Sequence, residues 1–144
     1  RKKEATGTLR HVGLQESVYL LASSVGITLD KVTESLEPVI ADTEVASEAI
    51  QVKKGEARGV EQVAHGYKNG VCKIKMHFKA AIGEPRSYDK VTVKGTPNFS
   101  SEIDSGINGD IATCAITINC INSILKAPAG LQTMRSITVP GFIN

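Results

Sequence analysis

A chain of 144 residues with 41% hydrophobic and 22% charged residues has the make-up of one globular domain able to build a core, which excludes wholesale disorder. The formal net charge of +2 removes any bulk electrostatic case for nucleic acid or an anionic membrane, so partners have to be argued from sites. Cys72, Cys114 and Cys120 make no CxxC pair, no apolar run approaches the roughly 20 residues of a bilayer span, and no signal segment opens the chain; together these point to a reducing, cytoplasmic setting.

The chain opens RKKEATGTLRHVG without an initiator Met, as expected of a piece of a longer protein. From Val12 to Val25 the apolar residues Leu14, Val18, Leu21 and Val25 recur at helical spacing, and Gly26 supplies a stop. Segments rich in β-branched residues follow: Val32 to Ile40, Ala49 to Val52, Arg58 to Tyr67, Val71 to Ile82, Tyr88 to Gly95 and Phe99 to Ile103. In VCKIKMHFKAAI, Cys72, Ile74, Met76, Phe78, Ala80 and Ile82 alternate with a largely cationic set, so one face is core. Asn69-Gly70 just before it is a two-residue hairpin turn, because both residues tolerate positive φ, and predicts antiparallel pairing with Arg58 to Tyr67.

A second long helix is predicted from Asn108–Asp110 to Leu125, with Ile111, Cys114, Ala115, Ile118, Ile121 and Leu125 on an arc facing the sheet. The tail from Leu131 to Asn144 reads as an extended arm. The expectation is a single α+β domain over 1–144, with a largely antiparallel or mixed sheet and two main helices packed on one face.

Neither GxGxxG nor GxxxxGK[ST] occurs, so no dinucleotide or P-loop site is expected in this chain. His11, His65 and His77 lack metal-ligand spacing and HExxH is absent, so no metal is expected. Lys73, Lys75, Lys79, Lys90 and Lys94 read as a solvated or subunit-covered sheet face, since aromatics to stack bases are sparse.

The head of the second helix is the chemically suggestive stretch. Its open amides and positive dipole end suit a carboxylate, Gly106 and Gly109 allow close backbone approach, and Asp110 and Asn108 suit an ammonium. Carboxylate plus ammonium describes an amino acid. The alternative is that Asn108 or Asp110 caps the helix while Thr113 and Thr117 bond back to the preceding turn.

The phrases HVGLQESVYLLASSVG, DKVTESLEPVIA, GVEQVAHGYKNG and above all GINGDIATCAITIN followed by GLQTM resemble the C-terminal domain of 2,4-diaminopentanoate dehydrogenases and related dihydrodipicolinate reductase-like proteins over nearly the whole chain. The resemblance implies a substrate-binding and homo-oligomerising domain of an NAD- or NADP-dependent oxidoreductase, with an N-terminal Rossmann domain of the same protein as its partner and a small amino acid as substrate. The reaction implied is oxidative deamination of 2,4-diaminopentanoate; the fragment alone is expected to be inactive. The HHxxK-type motif of dihydrodipicolinate reductases is missing, which weighs against that alternative. A non-catalytic interaction module is the other. On the amino-acid reading the expected substrate contacts are Asn108, Gly109, Asp110 and Thr113, with His11 and Glu16 as polar groups from the opposite loop and helix and no assigned general base.

Overall fold

The computed structural model describes residues 12–141, and the chain divides between Glu84 and Pro85 into two compact units. His11 lies outside the described residues.

In the first unit, helix α1 (Leu14–Ser24) turns Leu14, Val18 and Ala22 inward, the i, i+4, i+8 stripe of one helix face, whereas Leu21 and Val25 from the expected apolar set are exposed because they fall off that stripe. It stops where expected. Gly26 takes φ 73°, and the Ile27 amide reaches back to the Ala22 carbonyl at 2.8 Å. Strands β1 (Lys31–Ile40), β4 (Ala57–Lys68) and β5 (Val71–Ala81) form an antiparallel sheet in the order β1-β4-β5. The turn between β4 and β5 is the predicted one, with Asn69 at φ 51° and Gly70 at φ 73°.

One sheet face carries the core. Leu14, Val18, Ala22, Ala64 and Ile74 are buried together, with Ile27, Leu29, Val32, Met76 and Phe78 packed around them. Gly66 lets α1 approach: a Cβ there would stand 2.8 Å from Leu29 Cδ1 and 2.9 Å from Val18 Cγ1. The alternation read in β5 holds for Ile74, Met76 and Phe78 but fails at Cys72. A register shift at Gly66/Tyr67 sets Cys72 opposite Tyr67, and its side chain is exposed. The short ribbon β2 (Val45–Ala46) with β3 (Gln51–Val52) pairs Val45 with the buried Val52; the sequence reading did not anticipate β2.

In the second unit β6 (Tyr88–Val93) and β7 (Phe99–Asp104) make an antiparallel hairpin, followed by helix α2 (Gly109–Leu125). The register places Val91, Val93, Phe99 and Ile103 on one side of the ribbon. On the other, Arg86 Nη2 lies 2.5 Å from Glu102 Oε1 and 3.1 Å from Asp104 Oδ1, and Lys90 Nζ lies 2.9 Å from Glu102 Oε2. The Thr96-Pro97 bond in the connecting turn is cis. The apolar arc of α2 that the sequence reading turned toward the sheet is open instead: Ile111, Ile118, Ile121 and Leu125 are each more than half exposed, Cys114 is exposed, and Ser123 is the helix's buried residue. Beyond Lys126 the described chain has no helix or strand, though a turn closes from Ser136 to Thr133 and Ile137 is buried.

The α+β class, the two main helices and the antiparallel pairing are therefore as expected, and all strand pairs are antiparallel among the described residues.

Candidate functional site

The head of α2 is built by its preceding loop. Ser105 and Gly106 both adopt positive φ, 65° and 66°, which reverses the chain out of β7. Asp89 Oδ2 on the neighbouring strand accepts from the Ile107 amide at 2.8 Å and anchors the loop. A Cβ on Gly106 would stand 3.4 Å from that same oxygen, an ordinary contact, so it is the positive φ that favours glycine there.

Asn108 has extended backbone angles, and its Oδ1 accepts from the Ile111 amide at 3.0 Å, which makes it the N-cap. Thr113 Oγ1 donates to the Gly109 carbonyl at 2.8 Å, and Thr117 Oγ1 donates to the Thr113 carbonyl at 2.7 Å. These are the local bonds of the capping alternative. Asp110 is exposed in the first turn, where its charge suits the positive end of the helix dipole, and Gly109 has open space where a Cβ would stand. Asn108, Gly109, Asp110 and Thr113 thus share one helix head. Glu16 belongs to the other unit, in the first turn of α1, exposed and turned away from the buried stripe of Leu14 and Val18.

A second polar constellation escaped the sequence reading. The β1 register puts Glu34 between Val32 and Leu36 on the core face, and the β4 register puts Gln62 beside Ala64 on that face. Gln62 is wholly buried, and its Nε2 donates to Glu34 Oε1 at 2.5 Å. Both residues also engage further groups. The available signal was the alternation itself, which assigns a carboxylate to an apolar register in KVTESLEPVI.

Charge is concentrated again at the end of the β4–β5 pair. Glu84 Oε1, shut off from solvent, lies 2.7 Å from Arg58 Nη2 and 2.9 Å from Lys79 Nζ. Lys79 first, then Arg58, hold its carboxyl below the usual range against the opposing effect of burial. In the second unit Lys90, then Arg86, do the same for Glu102. These clusters join charged groups to each other and fasten strand ends. On the outer face of the three-stranded sheet His77 Nε2 lies 2.6 Å from Glu61 Oε1, both side chains partly exposed. A cavity of about 230 Å³ opens near the C-terminal end of α2, lined by Asn119, Asn122, Ser123 and Lys126, away from the helix head. Among the described residues no group of three His, Cys, Asp or Glu is arranged to hold a metal, and no helix is long and apolar enough to cross a membrane.

A relative from Acetoanaerobium sticklandii, a 2,4-diaminopentanoate dehydrogenase, is 34% identical over 144 aligned positions that cover 95% of this chain and 40% of the relative. The chain therefore spans well under half the length of that protein. Among solved structures, an amine dehydrogenase from Mycobacterium smegmatis superposes with a TM-score of 0.74 at 20% identity, covering 90% of this chain and 39% of that one, a likeness of fold. The family model described as the 2,4-diaminopentanoate dehydrogenase C-terminal domain matches residues 3–144. The chain belongs to the family of 2,4-diaminopentanoate dehydrogenase C-terminal domains.

Proposed function

We infer that this chain is the substrate-binding and homo-oligomerising part of a longer cytoplasmic oxidoreductase, one that removes an amino group from 2,4-diaminopentanoate or a related amino acid with NAD or NADP as oxidant. The observation that carries this reading is the family match across residues 3–144. The chain has no GxGxxG or P-loop phosphate cradle, so its residues do not fit a dinucleotide and no step is assigned to a cofactor within it. In this reading the cofactor is held by an N-terminal Rossmann domain of the same protein, and supplies hydride acceptance when bound.

What this chain contributes is orientation and charge. At the head of α2 the backbone amides of Gly109 and Asp110 face a substrate carboxylate, while the Asp110 carboxylate attracts an ammonium. Asn108 spends its side-chain oxygen on the cap, so its contact with substrate runs through the amide nitrogen; Thr113 offers its hydroxyl oxygen as acceptor.

The test is a panel of diamines and amino acids with both nicotinamide cofactors on the full-length protein, read by cofactor reduction. Asp110→Asn should raise KM for the amine by about tenfold, the size of one lost charge-assisted hydrogen bond. No cofactor reduction with any amine overturns the dehydrogenase reading. Wild-type kinetics in the folded Asp110→Asn protein remove Asp110 from the site.

A further inference from the structure

Helix α2 spaces its apolar residues as a helix does when one side of it is packed against a neighbour. Ile111, Cys114, Ile118, Ile121 and Leu125 follow one another at alternating steps of three and four, which keeps a seam on one side of the helix. All five are exposed. What α2 does bury is Ser123, which falls on the opposite side of the helix, beside the cavity that Thr138 and Val139 also line.

The seam carries no charge. Asp110, in the first turn, is the one charged residue of GDIATCAITINCINSIL. Covering the seam therefore strands no ion, and it takes four large aliphatic side chains out of water, the dominant favourable term in association. A lipid surface is a poor match, since helices that lie on membranes carry Lys and Arg along the polar face and α2 has neither.

Two observations identify the cover. The matched region is 40% of the 2,4-diaminopentanoate dehydrogenase relative and 39% of the amine dehydrogenase structure, so more than half of each polypeptide lies outside the part that this chain resembles. The seam also starts at the helix head, because Ile111 is the residue whose amide Asn108 caps. In the amine-substrate reading above, on which this inference rests, a substrate at that head reacts with a group held elsewhere on the polypeptide, and reacting groups approach to about 3–3.5 Å. The domain that holds the group must settle against the first turn of α2, beside Ile111.

We propose that the seam of Ile111, Cys114, Ile118, Ile121 and Leu125 is the face on which the cofactor-binding part of the same polypeptide packs. One helix then presents the substrate contacts and joins the two parts, so that domain packing and substrate position are fixed together.

Photocross-linking in the full-length protein, with Ile118→p-benzoylphenylalanine, tests the assignment. Irradiation should join position 118 to a peptide of the same polypeptide from outside this chain, identified by mass spectrometry after digestion. A product of doubled mass on a denaturing gel puts a second copy on the seam, a cross-link to residues 1–84 puts the first unit there, and no protein cross-link leaves the seam in solvent; each overturns the proposal. Should the variant not fold, the same replacement at Leu125, the most exposed member of the seam, reads the same outcomes. In unmodified full-length protein, the Cys114 thiol should react with N-ethylmaleimide about tenfold or more slowly in the native state than in urea, and equal rates overturn the proposal as well. If the cross-link forms as expected but no amine reduces NAD or NADP, the dehydrogenase reading falls and the packing face stands. If amines are oxidised and the cross-link goes elsewhere, the face falls and the reading stands.

Discussion

Asn108 shows how one residue can serve structure before it serves a ligand. Its side-chain oxygen satisfies the Ile111 amide, one of the donors that a helix start leaves open. Replacement by Ala should lower stability by about 1 kcal/mol, and replacement by Asp, an equally good cap, should leave it nearly unchanged. Urea denaturation of the three proteins checks this; an Asn108→Ala protein as stable as wild type would mean that the cap contributes nothing. The capping role was legible because Asn before an apolar-periodic run is a local signal. The pairing of Glu34 with Gln62 was not, since the two lie 28 residues apart and meet only through strand register.

At the scale of elements, the β4–β5 hairpin was readable because Asn69-Gly70 dictates its own backbone twist. The bulge that exposes Cys72 was not, because alternation counts residues and a bulge changes the count. The strand ends are fastened by charge, which makes them sensitive to acid. Glu84 has a folded-state pKa below its ordinary value of 4.5, chiefly through Lys79 and then Arg58. Its contribution to stability is therefore complete above the unfolded value and is lost as pH falls through the folded one. Glu84→Gln should be less stable than wild type at pH 7, and the difference should shrink as pH drops below 4.5. Melting temperatures across that range read the effect; a gap that persists undiminished at low pH would show that Glu84 acts by packing rather than charge. Glu102, lowered by Lys90 and Arg86, should add a second contribution of the same sign.

For the molecule as a whole, the two units differ in how they are built. The first has an enclosed core in which a helix stripe meets a sheet face. The second is a two-stranded ribbon and a helix whose apolar residues are largely exposed, and a lone hairpin is marginal in water without a further layer. With no dinucleotide motif of its own, the 144-residue chain is expected to reduce neither NAD nor NADP with any amine, whereas the full-length protein should. Activity of the isolated chain in the same spectrophotometric assay would contradict the assignment of the cofactor to another domain.

The sequence by itself determined most of the elements and their order: the helical spacing of Leu14 and Val18, the turn at Asn69-Gly70, the capped start of α2 and the family resemblance all depend on residues close together in the chain. Only the tertiary structure decided which side chains from distant strands share a face, placing Glu34 against Gln62 within an apolar surface and turning Glu16 away from it. The reason is physical. Local propensities act over a turn or two of chain, whereas contacts between strands depend on register and bulges, which are set when the whole sheet settles on one hydrogen-bonding pattern.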